Sequence, residues 1–470
     1  MTRRIHVGLF TLALLLFSGG GLFAQAGAPP AHALTLEEAL DYALQHYPAV
    51  RASLEQVSAA RAGISLARTQ YLPFLNGVYQ DSRATQNQVQ GIWLPTLITP
   101  TVEGPVAPSS SGQSYWGSQA LMLFSWQPFD FGLRSANVGG ARAATDKSTA
   151  DLEVTRLQVA TAVANYFLIA LAAHQAVVAA QANVDRWQVF AQSVHTLVDN
   201  ALRPGADASR ADAQLALART QLYQAEAGEQ AALATLAALM GTAGNELKLE
   251  GGKLLHLPPA DSLPISAPAD NPLARDQMAA VRQVQAQEKV LDRTDYPQIF
   301  LGAVGFGRGS EVPNNGSIIG NGNGLLPGRG NWVAGLTITF PNVFDFKALS
   351  AQKQMAKANE HSQRALYEKT IQDVTGQVKS ALAQLKSAQL VAQQTPIELA
   401  AARVSESQSR ARYAASLATL VEVADAEGLL AQAEMDDAVA RLNVWHSLFN
   451  VAYAQGDLQP FLTVLRSPTP

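Results

Sequence analysis

The sequence contains no cysteine among its 470 residues. This absence excludes disulfides, thiolate zinc sites, a cysteine nucleophile and a lipid-modified N-terminal cysteine. Charged residues make up only 15% of the chain, and the formal net charge is −4, so no basic surplus is present to attract nucleic acid. The eight histidines are scattered and form no ligand pair at helical spacing, so no metal site is predicted. With 48% hydrophobic residues, the chain is far too apolar to be disordered.

Long apolar runs are confined to the N-terminus. Two arginines precede the apolar run 7–17, and two A-x-A sites follow it, so we expect a signal peptide within 1–33, cleaved after Ala26 or Ala33. A transmembrane anchor is the alternative, but the run is shorter than the roughly 20 apolar residues needed to span a bilayer. Because no later stretch reaches that length, any membrane insertion is expected to be by strands.

The chain is a tandem duplication. The trio Phe-Asp-Phe occurs at 129–131 and again at 344–346, each time at the end of an alternating stretch that begins with tryptophan. Each copy, about two hundred residues long, is predicted to run helix, strand, loop, strand, long helix. The predicted units are a signal peptide (1–33), a first repeat (34–250), an inter-repeat belt segment (251–269), a second repeat (270–456) and a C-terminal tail (457–470).

The strand candidates alternate in the manner of a membrane barrel. In the last of them, Trp332, Leu336 and Ile338 share one face, and Thr337 and Thr339 lie on the other. This pattern fits a transmembrane strand, although a half-buried strand of a soluble sandwich is the alternative. Four strands cannot close a cylinder, since about eight are needed even around a filled interior. A barrel would therefore have to be shared between subunits.

Each repeated phrase is predicted to mark the junction between membrane and water. Pro128 and Pro341 follow the apolar strands and are expected to stop the hydrogen-bonded ladder. A hydrophobic staple at a helix start is an alternative that is compatible with this role. The aromatic residues expected at interface depth are Trp116, Phe129, Phe131, Trp332, Phe344 and Phe346.

Two long helices are predicted after the strands, at about 133–202 and 347–413. In both, small apolar residues recur at spacings of three and four, which is typical of coiled-coil packing. Seventy residues of helix would be about 105 Å long. Pro396 is expected to kink the second helix. The fold class is thus mainly α with a small β part.

Each long helix is then predicted to turn and restart. The restarts carry the capping pattern S/T-x-x-D/E at Ser209–Asp212 and Thr419–Glu422. Asp212 and Glu422 are therefore predicted to be helix-capping acids, with a charged constriction at the helix tips as the alternative.

These features together resemble the outer membrane efflux protein family, the TolC-like channels. The resemblance rests on LTLEEALDYALQHYP (34–48), QPFDFGLRSANVGGARA (127–143) and the turns RPGADASRADAQ (203–214) and YAASLATLVEVADAE (413–427). It implies a homotrimer in which each protomer gives four strands to a 12-stranded outer membrane barrel, continued by a periplasmic helical tunnel. It also implies docking to a periplasmic adaptor and an inner-membrane pump. The tip and gate candidates are Arg203, Gly205, Asp212, Tyr413, Ser416, Thr419 and Glu422.

One departure from the family pattern concerns this gate. The resemblance places Tyr413 at the gate tyrosine and Asp212 near an acid held by a neighbouring helix. The family's basic partner a few residues further on corresponds here to Ala418. Arg203, Arg210 and Arg412 are the basic residues that remain to substitute for it.

Two other functional classes are weighed against the channel. A soluble periplasmic adaptor would need several strand-rich domains, and this sequence has only four strand candidates. An enzyme reusing GFGRGS (305–310) as a phosphate loop would need a helix directly afterwards, and the sequence continues instead with Asn and Gly. No nucleophile, base and orienting group occur together. We therefore expect passive conduction without a cofactor or a chemical step.

Overall fold

The structure is a computed structural model that describes residues 33–85, 112–259, 264, 266–311, 322–341 and 346–466. The predicted signal peptide up to residue 32, and Phe344, lie outside this part of the chain. The helices of the described residues are α1 (Leu36–His46), α2 (Pro48–Thr69), α3 (Leu133–Asp199), α4 (Gly205–Leu239), α5 (Pro272–Arg293), α6 (Phe346–Ala414), α7 (Leu420–Gln455) and α8 (Gln459–Arg466).

Four strands form one antiparallel sheet in chain order. They are β1 (Phe74–Thr85), β2 (Ser114–Phe129), β3 (Gln298–Ser310) and β4 (Arg329–Thr339). The register pairs Leu121 with Val78 on one side and with Phe306 on the other, and Val304 with Val333. β1 and β4 are therefore the two edges of the sheet within the protomer. The pairings within each repeat, β1 with β2 and β3 with β4, and the pairing between the repeats, β2 with β3, are all antiparallel.

The two faces of the sheet differ as the alternation predicts, but not uniformly. On the outer face, Trp332, Leu336 and Ile338 are 81%, 63% and 51% exposed, which is the environment expected of side chains directed at lipid. The opposite face has Thr337 and Thr339 half-buried. Near the centre of the sheet, however, the face that carries Thr337 and Thr339 is apolar. Side chains of neighbouring strands pack against one another there and exclude water. These packed residues are Val78, Leu121, Leu123, Val304, Phe306 and Val333.

One local feature of the strands differs from the sequence-based expectation. β2 continues through Pro128 to Phe129, with a register shift between Trp126 and Phe129, so the prediction that Pro128 ends the strand is wrong. The irregularity leaves Pro128 outside the regular ladder, where a missing N–H costs little. The second proline, Pro341, does follow the end of β4.

The segment GFGRGS forms the end of β3 and is not a phosphate loop. Two of its glycines serve packing, because a Cβ on Gly309 would collide with the carbonyl oxygen of Leu326 and a Cβ on Gly307 would press against the side chain of Pro327, in the segment leading into β4. Glu311 anchors the same segment, since its carboxylate accepts hydrogen bonds from the backbone N–H groups of Trp116 (2.9 Å) and Gly322 (2.8 Å).

Beyond the sheet, the long helices form two hairpins. α3 has 67 residues and packs against α4, forming the first hairpin; α6 has 69 residues and packs against α7, forming the second hairpin. The predicted seam of α6 is confirmed, because Val374, Ala381, Leu385 and Ala392 are all buried. α6 continues as one helix on both sides of Pro396, and the kink there stays a prediction.

Between the sheet and the hairpins, α2, α3, α5 and α6 lie side by side in that order. The flanking helices are α2 and α6, just as the flanking strands are β1 and β4. Representative contacts are Ser53 with Thr155 (3.2 Å), Lys147 with Asp276 (3.0 Å) and Gln285 with Glu360 (2.7 Å).

The largest core lies midway along the helices. There α1, residues 251–259 and α8 pack on α3 and α7. The indole Nε1 of Trp445 donates to the carbonyl oxygen of His256 (2.7 Å), and Phe461 of α8 packs edge-on against the Trp445 ring. This agrees with a belt built from the inter-repeat segment and the tail, although the division into units at the predicted boundaries stays a prediction.

Among the residues that the structure describes, one helix, α3, is long and apolar enough by length and composition to cross a membrane, with a mean hydropathy of 1.6 in its most apolar window. The expectation that no later stretch qualifies is therefore wrong by that measure. The apolar side chains have another explanation, since Val163, Phe167 and Leu171 belong to the core shared with α1 and α7.

Candidate gate at the helix tips

The far ends of the two hairpins lie together, and both turns use unusual backbone conformations. Ala201 and Ser416 have φ angles of 58° and 64°, the left-handed values that a chain adopts where a helix ends and reverses. In the second hairpin, Thr419 and Glu422 form the predicted capping box, with each side chain bonded to the backbone N–H of the other.

The first hairpin restarts earlier than predicted. α4 begins at Gly205 with Pro204 as its N-cap, so Ser209 and Asp212 lie inside the helix and do not cap it. Pro204 suits this position because its fixed φ, here −64°, is compatible with a helix start. Asp207 consequently falls in the first turn of α4, where the helix dipole favours a negative charge.

Tyr413 is the centre of a cluster that joins the two tips. Its side chain is 2% exposed, and its hydroxyl donates to Oδ2 of Asp207 at 3.0 Å. The guanidinium of Arg203 lies 4.2 Å from the centre of the Tyr413 ring and also donates to the Tyr413 carbonyl oxygen. Phe190 of α3 also packs against the Tyr413 ring, with ring centres 5.4 Å apart. Three separate segments of the chain therefore hold one tyrosine.

Burial, helped by the hydrogen bond to Asp207, raises the pKa of Tyr413 to about 12. The hydroxyl is therefore protonated at every physiological pH and acts as a donor to the carboxylate. Arg203 opposes this shift, since a cation favours the phenolate, but it does not outweigh burial. The neutral hydroxyl-bearing ring of Tyr413 thus lies between the cation Arg203 and the anion Asp207. These contacts can break and form again without any proton transfer.

The acid beside Tyr413 is Asp207, whereas Asp212 lies elsewhere. Oδ1 of Asp212 is 2.9 Å from Nε2 of His195 on α3, and both side chains are about half exposed. This hydrogen bond and the carboxylate charge raise the pKa of His195 above its ordinary value of 6.5. The predicted tip residues therefore divide between two places, with Arg203 and Tyr413 in the cluster and Asp212 on the surface of the first hairpin.

The family's basic gate residue is replaced here by Ala418, and three arginines were candidates to take its role. Of these, Arg203 contacts Tyr413. Arg412 instead serves the turn of its own hairpin, donating to the carbonyl oxygen of Leu417 (3.2 Å) and lying 3.8 Å from Glu422. Arg210 is exposed and has no partner among the described residues. Ala418 is itself buried in the apolar core of the tips, which leaves no space there for a charged side chain.

A second polar cluster, above the tips, was missed by sequence reasoning. Glu427 of α7 is 1% exposed, and its carboxylate binds Arg186 of α3 (3.1 Å) and Arg410 of α6. Arg186 also binds Glu434 (3.0 Å), and Arg410 also binds Glu406 (2.8 Å). We call these five residues the arginine–glutamate network. It ties the first hairpin to the second through a buried carboxylate.

Burial raises the pKa of Glu406 within this network, with a further contribution from the nearby Glu427, while Arg410 acts in the opposite direction. Two acids thus compete for one guanidinium. The only sequence signal for the network was the presence of Arg186 and Glu427 among apolar seam positions, next to Trp187 and Ala426.

The predicted interface aromatics lie at two levels of the sheet. Trp116 is near the end of β2 that is remote from the helices, with the Arg83 guanidinium 5.6 Å from its ring centre. Phe129, at the end of β2, and Phe131, in the turn before α3, contact each other with ring centres 4.6 Å apart, and Phe131 also contacts Tyr296. Trp332 on β4 and Phe346 at the first turn of α6 are 81% and 65% exposed. These positions are compatible with two aromatic belts, which remain a prediction.

Among the residues that the structure describes, no group of three or more His, Asp or Glu side chains is arranged to hold an ion.

A sheet with a lipid-type outer face, continued by two long helical hairpins that meet at their tips, defines a channel-forming outer membrane protein. The family model for outer membrane efflux proteins matches residues 39–242 and 263–456, and the chain belongs to this family. The protein is an outer membrane efflux channel whose helices extend into the periplasm. Members of the family are channel proteins rather than enzymes, and the alternative of a soluble periplasmic adaptor is not favoured.

Individual relatives support the same assignment. Protein CyaE of Bordetella pertussis is 26% identical over 373 residues, which cover 77% of this chain and 71% of that protein. The fold is similar to that of VceC from Vibrio cholerae (TM-score 0.70, 17% identity, 90% of this chain and 96% of that chain). It is also similar to the open state of the MtrE outer membrane channel of Neisseria gonorrhoeae (TM-score 0.70, 20% identity, 90% and 89%).

Proposed function

We propose that the protein works as a homotrimer, passively conducting solutes delivered by a periplasmic adaptor and an inner-membrane pump. The observation that supports the trimer is the pair of free sheet edges, β1 and β4. An unpaired edge in lipid leaves backbone groups unsatisfied at several kcal/mol each. Pairing β1 of one protomer with β4 of the next removes both edges, and three copies make a ring of twelve strands.

We further propose that Tyr413, Asp207 and Arg203 form the gate of this channel. They join the tips of the two hairpins, so separating the tips requires breaking the hydrogen bond from Tyr413 to Asp207. A hydrogen bond to a charged group contributes about 1.5–3 kcal/mol. Breaking it in each of three protomers would be the work of adaptor docking. No chemical step and no cofactor enter this scheme.

The test is single-channel conductance in planar bilayers. Tyr413→Phe keeps the buried ring and removes only the hydroxyl, and Asp207→Asn keeps the shape of the acceptor while removing its charge. Both variants should favour the open tips and raise the conductance or the open fraction about tenfold or more. Tyr367→Phe is the matched control, because Tyr367 lies on the same helix and its hydroxyl has no partner among the described residues.

The outcomes separate the two proposals. Unchanged conductance in both variants, with normal trimers, would refute the gate. Native mass measurement in detergent tests the trimer independently, and a monomer or a dimer as the channel-forming species would refute the shared barrel.

A further inference from the structure

The α3–α5 interface opens into a cleft just below the sheet, on the side that faces the membrane edge. Its volume is about 770 Å³. The floor is made by the small residues Ala136, Gly139 and Ala143 of α3, and the upper end is closed by Phe131. We call this site the basic cleft, because its walls carry Arg142 of α3 and three cations of α5, namely Arg282, Lys289 and Arg293.

Three of the four cations of the basic cleft are not used inside the protomer. Arg142, Arg282 and Lys289 form no ion pair or hydrogen bond with any other residue that the structure describes, and all three are exposed. Arg293 stacks on Tyr296 at 5.2 Å and approaches the carbonyl oxygen of Phe131 at 3.4 Å. Asp146 is the one acid that lines the cleft, so its lining residues carry a surplus of three positive charges. Asp292 and Asp295 line the adjoining groove, where both pair with Lys353. The like charges that remain in the cleft repel one another, and a bound anion relieves this repulsion.

Two observations place the cleft on the outside of the channel. Phe129 pairs with Ile299 and so belongs to the outer face of the sheet, and Phe131, which contacts Phe129, closes the cleft. Independently, Arg142 lies five helical turns before Ala160, hence on the same face of α3. Ala160 belongs to the belt core that contains α1, so this face of α3 is the one covered by the belt further down.

The expected height of the cleft is that of the periplasmic headgroups. Phe129 and Phe131 are predicted to lie at the hydrocarbon boundary, and the cleft begins beside Phe131. Arg142 lies on the third turn of α3, about 15 Å beyond the end of β2, and helical side chains lean towards the N-terminus, here towards the membrane.

We propose that the basic cleft binds the phosphate headgroup of an anionic phospholipid in the periplasmic leaflet, one per protomer. Arginine pairs with phosphate oxygens through two parallel N–H donors, and the small-residue floor lets the headgroup approach the α3 backbone. The acyl chains then extend upward along Phe131 and the outer face of the sheet. The proposal depends on the outer membrane location of the family and, for the number of lipids per channel, on the proposed trimer; it does not depend on the proposed gate.

The experiment is a lipid titration of the full mature channel in detergent, followed by native mass spectrometry. Phosphatidylglycerol and phosphatidylcholine with the same acyl chains are the two probes. Each basic side chain near an anionic headgroup strengthens binding about fivefold at low salt. We therefore expect up to three tightly bound phosphatidylglycerol molecules per trimer, with a Kd about tenfold or more below that for phosphatidylcholine.

The decisive variant replaces Arg142, Arg282 and Lys289 by glutamine and should reduce this preference to within about twofold. The matched control replaces three exposed cations of the lower helices that also lack partners in the described chain, Arg219, Lys379 and Lys386, by glutamine. The control should keep the preference. The single variant Arg142→Gln should give an intermediate loss, which provides a test even if the triple variant assembles poorly.

Three results would overturn the proposal. The first is equal affinity of the wild-type channel for the two lipids, and the second is full retention of the preference by the triple variant. The third is displacement of phosphatidylglycerol from the wild-type channel by inorganic phosphate, compared with chloride at equal ionic strength, which would make the cleft a site for free phosphate and not for lipid.

Discussion

Replacing Glu427 by alanine is expected to loosen the connection between the two hairpins. This carboxylate is buried and is the only acid of the arginine–glutamate network that binds both guanidiniums, Arg186 from the first hairpin and Arg410 from the second. Without it, each arginine keeps one acidic partner on the second hairpin, Glu434 for Arg186 and Glu406 for Arg410. The variant therefore weakens the link but does not abolish it.

The magnitude follows from the burial of the three groups. Removing one partner of a buried ion pair costs about 3–5 kcal/mol, because the remaining charge is left uncompensated. Here the side chains of Arg186 and Arg410 are 21% and 34% exposed, so water screens them in part. With their second partners retained as well, we expect a loss of about 2 kcal/mol in the free energy that keeps the hairpins closed, which corresponds to roughly a 30-fold change in the opening equilibrium.

Amide hydrogen exchange measures this opening directly. Peptides covering the α6–α7 turn should exchange about 30-fold faster in Glu427→Ala than in the wild type, under conditions where exchange reports the opening equilibrium. Glu398→Ala is the matched control, since Glu398 is an exposed acid on α6 without a partner in the described chain. Exchange within about threefold of the wild type would show that the network does not hold the hairpins together.

Two further predictions concern other parts of the molecule. Because the pKa of His195 is raised, its bond to the Asp212 carboxylate stabilises the first hairpin fully below about pH 6.5, and this stabilisation is lost as the pH rises through the folded-state pKa. The rate of amide hydrogen exchange in His195→Gln, divided by the rate in the wild type, should therefore be largest near pH 5.5 and approach one near pH 9. Replacing Leu336 and Ile338 by lysine should abolish membrane insertion, since a lysine facing lipid costs about 2–4 kcal/mol at mid-depth. The control variant, Thr337→Lys with Thr339→Lys, changes the opposite face and should insert normally. Cell fractionation and heat-modifiable gel migration measure the insertion of both variants.

Either of these expectations can be refuted by a simple result. A ratio for the His195 variant that does not depend on pH would mean that the imidazole–carboxylate pair contributes nothing to the hairpin. Normal insertion of the Leu336 and Ile338 variant, together with failed insertion of the threonine variant, would mean that the two faces of the sheet are reversed.

Several elements were predictable because their signals are local. The alternation of β4 and the spacing of three and four along α6 both follow from the geometry of a single element, and the exposed Leu336 and the buried Leu385 confirm them. The capping box of Thr419 and Glu422 was equally predictable, since both partners lie within one turn. Pro128 was assigned wrongly because a register shift in β2 depends on how β3 pairs beside it.

The amino-acid sequence by itself determined the repeated plan of strands and long helices, the lipid-type face of the sheet and the family. Only the tertiary structure decided which acid meets Tyr413. Asp207 and Asp212 are five residues apart, about 140° around a helix, so the packing of one hairpin on the other selects between them. The same holds for Glu427, whose guanidinium partners come from different hairpins. Contacts between segments hundreds of residues apart leave no periodic trace in the sequence, because each depends on where whole helices come to rest.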